Sequence, residues 1–288
     1  MTATLIVARH AVQETVRRRV FIVVIVLTLG FLALFTVASA KAFAAPTPFG
    51  FGNEGPITPA GITSVTTVTL LGLGVFGSLF LATVLGVFLT LGAVRGDAER
   101  GLLQPLVVRP LGRRQFLLGR FVAAGAVCIA YLTLLYAAVL AIVHQAGGQW
   151  PGHVVGPGAA LIAAVVILVA LSLLGSVYLS TIANGIAMFM LYGAGLVAGL
   201  LASIGAALGA HTVQTIAHDI AIALPFEGFY QAALHALASN QAGLARIVIN
   251  LGPFGAPQAV GATFYIWVAA YLGFAALAAT VGFERRDL

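Results

Sequence analysis

Residues 95–120 read RGDAERGLLQPLVVRPLGRRQFLLGR and hold six of the fourteen basic residues and two of the eight acidic ones. The chain on either side is almost free of charge. No Asp, Glu, Lys or Arg occurs in residues 20–40, in 55–94 or in 121–218. A helix crossing the hydrocarbon core needs roughly 20 mostly apolar residues, so these runs supply several spans. With 61% hydrophobic and only 8% charged residues, the chain is far from a soluble domain, in which about a quarter of residues are charged. The apolar runs lack the period-two alternation of barrel strands. The reading is an all-α polytopic membrane protein forming one transmembrane domain over 1–288.

Six spans are expected, at 20–40, 66–94, 115–144, 159–181, 185–209 and 261–283. Pro and Gly clusters break the helix between the first and second and between the third and fourth. Asn184-Gly185 is a tight-turn signal between the fourth and fifth. An even number of spans puts both termini on one side. Arg9, Arg17, Arg18 and Arg19, the six arginines of 95–120, and Arg285 and Arg286 then share that side, leaving Lys41 and Arg246 on the other. By the positive-inside rule the arginine-rich side is cytoplasmic, so the expectation is a multi-pass plasma-membrane protein with both termini inside. A net charge of +6 is thereby explained by juxtamembrane clusters facing lipid headgroups, and nucleic acid is not expected as a partner. A secretory signal peptide is not expected either, because the first apolar run exceeds an h-region of 7–15 residues.

Two further elements do not span. In 4–19, Leu5, Ala8, Val12 and Val16 recur at helical spacing beside Arg9, Gln13 and Arg17, which reads as an interfacial amphipathic helix; the alternative is an extension of the first span. The outer segment 210–260 is too polar to span and too apolar for a free loop. Helical stretches at 212–223 and 226–238, separated by Leu224-Pro225, are expected to lie against the outer ends of the spans or dip back into the membrane. This segment is where substrate contacts or a gate are expected.

The middles of the spans carry no charge, which counts against an ion-coupled secondary carrier. Gly74, Ser78, Ala82 and Gly86 follow one another at intervals of four, as do Gly195, Gly199 and Ser203. Small residues at this spacing let backbones approach closely, which fits helix packing within the chain, a dimer interface or the wall of a path. No HExxH, CxxC or GxSxG motif is present, and a lone Gly-Ser pair such as those at Ser78 and Ser176 is common in membrane helices. A GxxxxGK[ST] loop is ruled out because the only lysine, Lys41, is followed by Ala42 and Phe43. His144, His153, His211, His218 and His235 fall on the outer side, with Asp219 beside His218 and Glu227 nearby, a combination that suits copper or zinc; the spacings define no ligand set, and no metal is assigned. The single cysteine, Cys128, provides no disulfide partner.

Within 95–120, Asp97 and Glu99 suit the first turn of a short helix. Leu102, Leu103, Leu106 and Val107 form an apolar face, and Arg109-Pro110 ends it. A rigid amphipathic helix between two spans is placed to dock on a soluble partner; a basic hairpin on the membrane surface is equally consistent with composition.

This stretch resembles the cytoplasmic loop of ABC-2 type transporter permeases, whose pattern runs acid-x-acid-x-Gly-Thr-Leu, then Pro-x-Ser-Arg, then Leu-Gly-Lys. Asp97, Glu99, Gly101, Leu103, Pro110, Arg113, Leu118 and Gly119 match. Arg120 stands for the lysine, Leu102 for the threonine and Gly112 for the serine. The basic head, six spans, helical outer segment and closing Phe283-Glu284-Arg285 also resemble the family. The resemblance implies a non-enzymatic permease subunit, paired with a second permease copy and bound to ATP-binding subunits that carry the ATP and magnesium. It implies export driven by ATP hydrolysis on that partner. The coupling helix would fall on 97–111, with Asp97, Glu99, Arg100, Gly101, Leu102, Leu103, Leu106, Arg109, Pro110, Arg113 and Arg114 facing the ATPase. The other readings are a channel or secondary carrier of another class and a scaffold that recruits a partner through the loop. An intramembrane enzyme is a more distant one.

Overall fold

The computed structural model describes residues 19–44, 59–91, 112–238 and 260–285. Eight helices and no strand occur among them. Six are long and apolar enough to cross a membrane: α1 (Arg19–Ala44), α2 (Pro59–Thr90), α3 (Arg113–Gln145), α4 (Val155–Tyr178), α5 (Thr181–Leu208) and α8 (Ala262–Glu284). Between α5 and α8 lie two short helices, α6 (His211–Ala223) and α7 (Pro225–Ala238). The expected interfacial helix at 4–19 and the docking helix of 95–114 lie outside the described residues, apart from Arg19 and the start of α3.

The six long helices run alternately up and down. Gly77 faces Phe31 and Gly74 faces Phe35, so α1 and α2 are antiparallel. Gly86 meets Cys128 while Gly74 meets Val139, which sets α3 against α2 in the same way. Gly158 at one end of α4 meets Tyr136, and Gly282 near the end of α8 meets Tyr178 at the other. Helix α4 is the hub, touching α2, α3, α5, α7 and α8. Helix α2 is the most enclosed span and α1 the least.

Between helices in lipid the hydrophobic drive is weak, so close van der Waals contact and polar bonds must hold the bundle. The first small-residue stripe supplies both. A methyl group at Gly74 would run into Val139, and one at Gly86 would stand 3.0 Å from a Val169 methyl. Ser78 is buried and donates to the Gly74 carbonyl at 2.7 Å, and Ala82 is fully buried. Thr90 and Ser172 share a hydrogen bond of 2.6 Å between α2 and α4. Thr28 and Tyr131 join α1 to α3 through their hydroxyls at 2.5 Å. Gly74, Ser78, Ala82 and Gly86 are therefore occupied by contacts within the chain.

The turn between the fourth and fifth spans differs from the expectation. It lies at Leu179-Ser180, where Leu179 turns extended (φ −101°, ψ 157°), and Asn184-Gly185 sits inside α5. Ser180 takes the cap position, its hydroxyl oxygen accepting the Ala183 N–H at 3.4 Å. Asn184 is fully buried and donates its amide to the Ser172 carbonyl at 3.0 Å. A local turn signal thus gives way to a buried partner across the helix crossing. Gly175 leaves room for this amide, since any Cβ there would collide with Asn184. Gly175→Ala is expected to cost about 1–3 kcal/mol by overpacking, read as a lower Tm, and Asn184→Ala in the same chain should recover part of that loss.

Candidate functional site

Helices α6 and α7 start from local chemistry legible in the chain. Leu224-Pro225 separates them, with Pro225 at the first position of α7, where its missing N–H costs nothing. Phe226, Phe229, Tyr230, Ala233, Leu234 and Leu237 are all buried and recur at helical spacing, giving α7 one continuous apolar face. That face lies along α4. Helix α6 runs back along α5, where Gln214 donates to the Gly205 carbonyl at 2.9 Å. Trp267 of α8 donates its indole N–H to the Ile222 carbonyl at 3.0 Å, fastening the far end of α6.

The pair is a hairpin folded back into the bundle. Its tip reaches Gly195, where a Cβ would stand 2.8 Å from the Phe226 ring and 3.4 Å from a Glu227 carboxyl oxygen. Gly195 is the middle of α5, so the tip lies about 20 Å in from the end of that helix at 1.5 Å per residue. Tyr192 stacks on Phe226 with ring centroids 6.1 Å apart. The expectation of helices at or below the outer ends of the spans thus resolves to the deeper of its two forms. The spans themselves remain uncharged in the middle, but the hairpin carries an acid to that level.

Glu227 is 1% exposed. Its Oε1 accepts a hydrogen bond from the Gln231 amide, one turn along α7, at 2.5 Å. Tyr192 of α5, His218 of α6 and Tyr230 of α7 share its surroundings. The Tyr192 and Tyr230 hydroxyls are buried without a hydrogen-bond partner among the described residues.

Glu227 faces a cavity of about 510 Å³ between α5, α6, α7 and α8. Ala198, Gly199, Ala217, Glu227 and Gln231 form its buried floor, and His218, Ile222, Thr263 and Trp267 its exposed rim. Gly199 of the second stripe lines it, and Ser203 donates to the Gly199 carbonyl at 3.2 Å. Gly195 and Gly199 are thus turned toward the hairpin and its cavity, unlike the first stripe, while Ser203 is buried. The sequence pattern set Glu227 only near His218 and Asp219 and did not place it in a buried site. Its signal was an acid two residues after Pro225, on the edge of an apolar helical face.

A match to a protein-family model decides the family. The model described as ABC-2 family transporter protein matches residues 5–288, nearly the whole chain. The chain belongs to the ABC-2 transporter family. A search of curated proteins finds no match. In this ABC-2 permease the other expected site residues are placed unevenly. Asp97, Glu99, Arg100, Gly101, Leu102, Leu103, Leu106, Arg109 and Pro110 lie outside the described residues, and Arg113 opens α3. Arg114 pairs with Glu284 at 2.9 Å, joining the start of α3 to the end of α8. Both groups are well exposed, and such pairs contribute little to stability. Arg120 lies over the Phe116 ring, 5.4 Å from its centroid.

The histidines of the permease are scattered. His144 lies against Trp150 with ring centroids 4.9 Å apart, while His153, His211 and His218 are exposed. No group of three or more His, Cys, Asp or Glu residues comes together among the described residues.

Proposed function

We propose that this chain is the permease subunit of an ATP-driven exporter of the plasma membrane. Two permease copies work with ATP-binding subunits supplied as separate chains, which hold the ATP and magnesium. The observation that carries the reading is the family match over residues 5–288, joined to a sequence in which no phosphate-binding GxxxxGK[ST] loop can form. The energy must then enter through a cytoplasmic contact. Residues 97–111 supply it as a coupling helix, with Leu102, Leu103 and Leu106 buried against the ATPase and Glu99, Arg100 and Arg109 at the rim.

Twelve of the fourteen basic residues share the side of the termini, which makes that side cytoplasmic. The α6–α7 hairpin and its cavity then open away from the ATP-binding subunits. Closure of the ATPases pushes on the coupling helix and shifts α2 and α3, which flank it. Those two spans contact α4, against which α7 lies, so the hairpin is mechanically connected to the drive.

Tagged protein purified from its native membranes should bring an ATP-binding-cassette subunit in equal amount. Recovery of the chain without such a subunit would overturn the assignment.

A further inference from the structure

The α5–α8 cavity described above has a chemistry that selects among ligands. Among the described residues its lining is apolar except for Glu227, Gln231, Gln214, Thr263 and His218, and no lysine or arginine is among them. Two aromatic rings, Phe264 and Trp267, form the α8 wall. A carboxylate there is far from water, so it repels anions strongly and gains most from a cation that can be brought in with it. Aromatic faces favour a positive charge for the same reason of sign. Small residues at Ala198, Gly199 and Ala202 leave space for an apolar body beside the charge.

We propose that this cavity binds amphiphilic amines, the ammonium group seated between Glu227 and the aromatic wall and the apolar body against α5. Among the described residues no lysine or arginine faces Glu227 in the cavity, so a bound ammonium supplies the counter-charge. Gln231 holds one carboxyl oxygen, and the other lies near Gly195, one turn before the cavity-lining Gly199 of α5. The rim formed by Ile222 and Trp267, both exposed, gives a ligand entry. This deepens the transport reading by naming a class of substrate, and it rests on that reading only for the step that moves the ligand.

Binding can be measured on the full chain without any ATPase. The sequence has two tryptophans, so Trp150→Phe leaves Trp267 at the rim as the sole reporter. The chain is placed in zwitterionic nanodiscs at pH 8.5 and titrated with octylamine, octanol or octanoate. Octylamine should give a saturable change in Trp267 emission, at least tenfold tighter than either of the others. Glu227→Gln should weaken octylamine at least tenfold and leave octanol unchanged. Ala202→Leu, which fills the apolar part and keeps the carboxyl, should weaken both ligands. The proposal is overturned by octanoate binding as tightly as the amine, by no saturable octylamine signal, or by equal octylamine affinity in Glu227→Gln. None of these outcomes touches the association with an ATP-binding subunit, so the two readings fail separately.

Discussion

Gly195→Leu is expected to drive the α6–α7 hairpin out of its seat. The Cβ alone would lie 2.8 Å from two atoms of the Phe226 ring, and the rest of the leucine has to occupy space that ring fills. Phe226 is fully buried, and Tyr192, which stacks on it, is nearly so. Moving the ring displaces its buried neighbours, and a packed interior transmits the strain. A cost of about 3 kcal/mol, the upper part of the overpacking range, is expected as a lower Tm. Trp267 should move to a more water-exposed emission because its bond to Ile222 depends on the position of α6. Phe226→Ala in the same chain should recover about half of the loss, since the two sites share one contact. Equal Tm for Gly195→Leu and wild type would mean that the hairpin tip is not at this level.

The second large effect concerns the cytoplasmic loop. Glu99→Lys combined with Leu103→Asp reverses a charge and places another on the apolar face of the proposed coupling helix. An apolar contact rejects an unpaired carboxylate at a cost of several kcal/mol, and 1.4 kcal/mol already corresponds to tenfold in affinity. Recovery of the ATP-binding subunit with the tagged double variant should therefore drop at least a hundredfold. Membrane insertion should be unchanged, because the six spans and the flanking arginines are intact. Loss of the protein from the membrane would indicate a folding defect instead, and Glu99→Gln with Leu103→Ala serves as the milder pair.

The bundle was legible because its determinants are local. A run of some 20 apolar residues declares a span wherever it sits, and Leu224-Pro225 marks a break whatever surrounds it. Helices α6 and α7 accordingly begin and end within a residue or so of their expected limits. The depth of the hairpin was not legible in the same way. Thr212, Gln214, His218 and Asp219 give α6 a surface-like composition, yet Ala217 is buried against the bundle and Gln214 is bonded to α5. Which apolar face meets which is a tertiary fact, and a mean over a window cannot contain it. Asn184 shows the same limit from the other side. Its turn propensity is real, but the Ser172 carbonyl offered a buried partner that local propensity cannot register.

Glu227 is the residue whose meaning changed most between the chain and the fold. In the sequence it is an acid in the first turn of a short helix, where the helix dipole favours it. In the fold it is a nearly dry carboxyl level with the middle of α5. Intramembrane acids are costly and mark functional pathways, and this one is delivered by the hairpin rather than by a span.

The central claim is that ATP hydrolysis on a separate subunit drives this permease through residues 97–111. Its most direct test is the vanadate-sensitive ATP hydrolysis of the affinity-purified assembly, compared at equal permease recovery between wild type and the Glu99→Lys, Leu103→Asp variant. The account expects robust hydrolysis with the wild type and background with the variant. Equal hydrolysis in the two, or none in either, would contradict it.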